Sequence, residues 1–175
     1  MDLKKFLNLS EGRWFSQRTN YLVGGEADNS KADITIEAIA PEDAKAVELC
    51  QKHNLDPQLS LGGTVQSWDN SVDWGKPKQV GSATIVFVSN PDNNSTGKLI
   101  RPQDSKVCGH YALGADEALT LTIETDDMQA EERQWFASDN FKMRTTIVKY
   151  NDGRKQTSFY SEIRKAPPKE ESSND

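Results

Sequence analysis

From residue 59 to residue 165, short runs rich in β-branched and aromatic residues recur at near-even spacing, and a turn signal stops each one. They cover 59–69, 80–89, 97–101, 107–112, 118–124, 132–138, 141–151 and 154–165. Asn90-Pro91-Asp92-Asn93-Asn94 and Asn151-Asp152-Gly153 are the clearest breaks. Two further strands precede them at 12–23 and 34–40, with a loop of Gly, Asn, Asp and Ser between. Pro41, Glu42 and Asp43 then suit the first turn of a helix reaching about Asn54, with Val47 and Cys50 on its buried side. At the head, Asp2 can cap a short helix whose Leu3, Phe6 and Leu7 share one face. About ten short strands with one helix after the second form an all-β sandwich or a closed up-and-down antiparallel barrel. Residues 1–165 are expected to form a single domain, and 166–175, polar beyond the first few positions, a disordered tail.

The pattern also excludes much. A net charge of −6 disfavours sequence-independent binding to nucleic acid or anionic membrane. No apolar run is long enough to span a bilayer, and the first residues lack the apolar core of a signal peptide. Cys50 and Cys108 therefore read as free thiols in a reducing compartment, each a small hydrophobe rather than a nucleophile. His53 and His110 stand alone, so no protein-built metal site is expected. Ser158 and Ser161 have no nearby His, which leaves a hydrolytic triad unsupported.

The first strand favours the barrel. Gly12-Arg13-Trp14 beside a helical head resembles the G-x-W signature of lipocalin-like barrels, where the Trp closes the bottom. A barrel of this size holds one small ligand. Several strands place charges among apolar neighbours. Arg18 shares a face with Trp14, Ser16 and Asn20; Arg144 with Thr146 and Val148; Glu162 with Ser158 and Tyr160. If 151–153 is a three-residue loop with Gly153 left-handed, Tyr150 faces Arg154, and Arg144 faces Tyr160. Arg144 and Glu162 then become diagonal neighbours on one face. A two-residue loop would separate them. The shared face is either a ligand-lined lumen or a solvent-facing pair of little energetic weight. Trp68 and Trp74 flank a polar turn and either cover a flat conjugated ligand or anchor the loop. In 132–136, alternation puts Glu132, Gln134 and Phe136 on one face and Arg133 and Trp135 on the other, without saying which is inside.

Five ordered segments together resemble the S-type phycobiliprotein lyases (the CpcS/CpeS/CpcU group), which have a lipocalin-like barrel. They are Ser10-Glu11-Gly12-Arg13-Trp14-Phe15-Ser16-Gln17-Arg18-Thr19, Leu49-Cys50-Gln51-Lys52-His53-Asn54-Leu55-Asp56-Pro57, Glu131-Glu132-Arg133-Gln134-Trp135-Phe136-Ala137-Ser138, Met143-Arg144-Thr145-Thr146-Ile147-Val148 and Ser161-Glu162-Ile163-Arg164. The resemblance implies a lyase that binds a linear tetrapyrrole and promotes its thioether attachment to a cysteine of a phycobiliprotein subunit. The bilin, phycocyanobilin or phycoerythrobilin, would be a transient substrate, with no permanently bound cofactor. Arg18 and Arg144 match the family's conserved arginines, Glu132 and Glu162 its acids, and Trp68 and Trp74 its paired tryptophans. The match implies that Glu132 and Glu162 are catalytic and that Arg18, Arg144, Trp68 and Trp74 bind ligand; Ser158 and Tyr160, which share the face of Glu162, would then line the same lumen and bind it too. It favours Glu132, Gln134 and Phe136 as the lumenal set. It also implies a cytoplasmic or plastid-stromal location and a possible homodimer or heterodimer with a related subunit. A carboxyl whose pKa is raised by burial could protonate the pyrrole nitrogens. The rivals are a non-catalytic carrier of bilin or fatty acid, and an accessory subunit of a heteromeric lyase.

Overall fold

The computed structural model describes residues 1–22, 25 and 27–166. It opens on helix α1 (Leu3–Ser10), which Asp2 caps by accepting the Lys5 amide at 2.7 Å. Ten strands follow: β1 (Gly12–Leu22), β2 (Asp28–Ile39), β3 (Ser60–Asp69), β4 (Val80–Asn90), β5 (Asn93–Ile100), β6 (Gly109–Leu113), β7 (Leu119–Glu124), β8 (Met128–Ser138), β9 (Phe141–Tyr150) and β10 (Lys155–Arg164). Each pairs antiparallel with the next, and β1 pairs with β10, so the sheet closes into an up-and-down barrel without edges. The expected all-β barrel is what the chain forms.

Helix α1 plugs one end of the barrel. Leu3, Phe6 and Leu7 pack among Phe87, Leu99, Tyr111, Leu113, Leu119 and Leu121. Trp14 closes the same end. Its fully buried indole donates to the Ser10 carbonyl at 2.9 Å and carries the Arg164 guanidinium 4.2 Å above its ring. Helix α2 (Ala44–Lys52) covers the outside of the barrel, with Ala46, Leu49 and Cys50 against Ile39, Val86, Val88 and Ile100. Cys50 and Cys108 are both free thiols.

Some boundaries differ from expectation. β2 begins at Asp28, inside the stretch read as loop, because backbone pairing of Asp28–Asp33 with Phe15–Asn20 overrides the weak strand propensity of Asp, Asn, Ser and Lys. Val23, the last residue of the expected first strand, and Gly24 and Glu26 of the expected loop lie outside the described residues, as does the tail from 167. α2 starts at Ala44 rather than Pro41, because the Asp43 side chain takes the Lys45 amide at 2.8 Å and so caps the helix there. Ala46, not Val47, joins Cys50 on its buried side. β5 starts at Asn93 and β8 at Met128, each four residues earlier than expected, while β6 begins at Gly109 rather than 107. At 151–153 the three-residue loop is realised. Gly153 has φ +89°, the Tyr150 amide bonds to the Arg154 carbonyl, and Arg144 pairs with Tyr160.

The interior has two characters. Ala83, Ile85, Phe87, Leu119 and Leu121 from β4 and β7 make one wall apolar. The opposite wall, from β8, β9, β10 and β1, carries Glu132, Arg144, Tyr160, Glu162, Ser16 and Arg18. The end opposite α1 is the open mouth, where residues 70–79 lean onto β2. Lys76 Nζ lies 3.0 Å from Asp28 Oδ1, and the Lys31 amide donates to Asp73 Oδ2 at 3.0 Å.

Candidate active site in the barrel

The mouth opens into a cavity of about 310 Å³, lined among others by Ser16, Arg18, Ile34, Gln66, Trp68, Arg144 and Tyr160. Below it, towards α1, lies a narrower chamber of about 180 Å³ walled by Phe6, Ile85, Leu119, Leu121, Glu132 and Gln134. Gln66 and Arg144 border both spaces, so Arg144 stands where they meet. The upper cavity alone reaches the low end of ordinary small-molecule sites.

Arg144 organises the polar wall. Strand alternation on β9 points it inward, and its guanidinium lies 3.9 Å over the Tyr160 ring of the neighbouring strand. Its Nη2 donates to Glu162 Oε1 at 2.9 Å, and its Nη1 reaches Glu132 Oε2 at 3.3 Å. Glu132 also accepts from Gln134 at 2.6 Å and Thr146 at 3.4 Å. Glu162 is only 1 % exposed and accepts a long bond from Ser16 at 3.3 Å. Lys142, 2 % exposed, brings its ammonium to 2.9 Å from Glu162 Oε2 as an ion contact without hydrogen-bond geometry.

Arg18 differs from Arg144. Among the described residues it forms no ion pair, and its Nε is buried without a partner; the Nε of Arg144 is likewise unpartnered. Lys142 and Arg144 thus face Glu132 and Glu162 in the interior, Arg18 adds a third inner cation, and Asp28, Asp73, Lys31 and Lys76 line the cavity nearer the mouth. A buried positive excess with unspent donors suits an anionic ligand.

The carboxyl chemistry corrects one expectation. Burial alone would push Glu162 up, but the guanidinium of Arg144 and the ammonium of Lys142 hold its pKa below the ordinary glutamate value. Glu162 is therefore an ionised acceptor rather than a proton donor. Burial pushes Lys142 down, despite the acid beside it. Because folding lowers the Glu162 pKa, its contribution to stability is full above the unfolded value and is lost as pH falls through the folded one. Thermal melts are expected to show wild type losing stability below about pH 4.3, and Glu162→Gln losing less over the same range. Parallel curves would contradict this assignment.

Of the residues singled out in the sequence, Arg18, Trp68, Arg144 and Tyr160 line the upper cavity and Glu132 the lower chamber. Glu162 lies behind Arg144, fully buried. Ser158 is buried and spends its hydroxyl on Asn20 Oδ1 at 2.9 Å. Trp74 does not join Trp68. It is 92 % exposed, because the 70–79 loop is pinned through Asp73 and Lys76 with the indole turned to solvent. Phe136 packs on Phe6 and Trp14 at 5.0 and 6.2 Å, so the Glu132, Gln134, Phe136 face is the inner one. Lys142 escaped the sequence reading, although the hairpin register that pairs Arg144 with Tyr160 also sets Lys142 opposite Glu162.

A family model described as "CpeS-like protein" matches residues 2–165. The chain belongs to the CpeS-like family. It is 38 % identical over 169 residues to a protein named chromophore lyase CpcS/CpeS from Thermosynechococcus vestitus, covering 94 % of this chain and 93 % of that one. It is also 38 % identical over 175 residues to chromophore lyase CpcS/CpeS 1 of Synechocystis sp., covering 97 % and 94 %. The solved structure of the S-type phycobiliprotein lyase CPES from Guillardia theta superposes with a TM-score of 0.83 at 27 % identity, covering 95 % of this chain and 94 % of that one. The superposition on the Guillardia theta structure extends over nearly the whole CpeS-like barrel.

Proposed function

We propose that this CpeS-like chain is a chromophore lyase that takes up a linear tetrapyrrole in the barrel and presents it to a cysteine thiol of a phycobiliprotein subunit. The observation that carries the reading is the two-sided cavity: an apolar wall for pyrrole rings opposite a wall with a cationic excess for propionates. Arg18 binds one propionate through its unspent donors, and Arg144 braces the polar wall between Glu132 and Glu162. Trp68 and Tyr160 supply flat surfaces for the conjugated system. Ser158 supports the polar wall through its bond to Asn20, and Trp74, exposed on the mouth loop, is placed to meet the ligand or the acceptor only outside the cavity.

Attachment is an addition. The acceptor S–H adds across the exocyclic double bond of ring A, a C–S bond forms at the ethylidene carbon, and the proton goes to the bilin. Nothing is oxidised. Glu132 faces the ligand space and is the carboxyl placed to polarise the pyrrole nitrogens, with Glu162 fixing Arg144 behind it. The barrel's main contribution is orientation and exclusion of stray thiols. The nucleophile belongs to the acceptor, in a reducing compartment such as the cytoplasm or a plastid stroma. A carrier of fatty acid would need one arginine rather than the two that line the cavity.

The test mixes the protein with phycocyanobilin and an apo-phycobiliprotein subunit and follows the denaturation-resistant adduct by absorption and fluorescence. Adduct formation well above the protein-free rate is expected, and Cys50→Ser with Cys108→Ser should leave it intact. Bilin binding without accelerated attachment would make the chain a carrier; loss of attachment in the double Cys variant would overturn the acceptor-thiol mechanism.

A further inference from the structure

Gly81 has no conformational reason to be glycine. It lies one pair from the mouth end of the β3–β4 ladder, opposite Trp68, and its backbone is not left-handed. What a side chain there would meet is the Trp68 ring. A Cβ on Gly81 would stand 2.4 Å from Cζ2, 2.7 Å from Cε2 and 3.1 Å from Nε1 of that indole. This separates it from Gly63 and Gly97, where a Cβ would strike neighbouring backbone at 2.0 and 2.2 Å. The ladder sets Ile34, Trp68 and Gly81 side by side on three adjacent strands; Ile34 and Trp68 line the upper cavity, and alternation from Ala83, which lines the lower chamber, turns position 81 the same way. Trp68 packs towards Ile34 on one side and spreads its ring into the space that Gly81 leaves empty on the other. The indole therefore lies along the barrel wall, and the cavity beside it stays open.

We propose that Gly81 is a positioning residue for chromophore recognition: by lacking a side chain it lays the Trp68 indole flat on β4 and so sets the width of the slot that receives the bilin. This rests on the bilin reading of the cavity and deepens it. Any residue larger than glycine at position 81 tips the ring into the slot, and the backbone has no need to move, because the colliding atoms all belong to one side chain. The effect falls on a flat, extended ligand, whose rings must pass the indole.

The test compares wild type, Gly81→Ala, Trp68→Leu and the double variant as full-length chains, titrated with phycocyanobilin and followed by its absorption. Gly81→Ala is expected to weaken binding about tenfold or more and to shift the bound-bilin absorption maximum. In the Trp68→Leu background the same substitution should do neither, since the ring it displaces is gone. Near-UV circular dichroism of the unliganded protein should change on Gly81→Ala only while Trp68 is present. Equal losses in both backgrounds would show a general structural effect and overturn the proposal. So would wild-type binding by Gly81→Ala. If wild type itself bound no bilin, the reading of the cavity would fall; an unchanged near-UV spectrum in Gly81→Ala would overturn the positioning of Trp68 independently of any ligand.

Discussion

Replacing Arg144 by alanine is expected to abolish bilin binding and to cost the fold about 3 kcal/mol, the low end of the penalty for breaking a buried ion pair, because Lys142 stays beside Glu162. The guanidinium holds Glu162 at 2.9 Å and Glu132 at 3.3 Å, and it rests 3.9 Å over Tyr160. Its removal leaves Glu162 with Lys142 and a long bond from Ser16. Chemical denaturation checks the stability loss, and absorption titration checks the binding. Arg144→Lys should rescue little, since a point charge cannot bridge two carboxylates and stack on a ring at once. A variant that kept wild-type stability would show the cluster to be decoration.

Arg18→Ala should behave differently. Its Nε is buried without a partner and, among the described residues, no acid pairs with it, so the free protein loses little on its removal. The ligand loses a charged hydrogen bond worth about 1.5–3 kcal/mol, which is roughly 10- to 150-fold in affinity. Melting temperature and affinity are measured on the same preparation. The expected result is a nearly unchanged melt with much weaker binding, the converse of a structural arginine. A destabilised Arg18→Ala with intact affinity would mean that this side chain serves the fold.

How far these residues could be read before the structure depends on what fixes each one. The hairpin at Asn151-Asp152-Gly153 specifies its own geometry through Gly153, so the facing of Arg144 and Tyr160 and the nearness of Glu162 followed from counting. The plug formed by Leu3, Phe6 and Leu7 followed from helical spacing and the Asp2 cap. Strand Asp28–Asp33 did not, because pairing with β1 is a non-local contact that polar residues do not announce. The direction of Trp74 is not legible in the sequence for a related reason. Its direction depends on Lys76 reaching Asp28 on a distant strand. The pairing of Glu162 with Lys142 was available from the same register, yet its consequence for the carboxyl depends on burial, which is a property of the closed barrel. The apolar and cationic halves of the interior likewise exist only once β1 meets β10.

The cationic wall and its bis-propionate ligand can be separated by one titration. The protein is mixed with phycocyanobilin as the free diacid and, in parallel, as its dimethyl ester, which keeps the pyrroles and removes both negative charges. Binding of the diacid with at least about tenfold weaker binding of the ester is expected, since each lost charged contact contributes about 1.5–3 kcal/mol. Equal affinity for the two would contradict recognition of the propionates by the cationic wall that Arg144 braces and Arg18 completes.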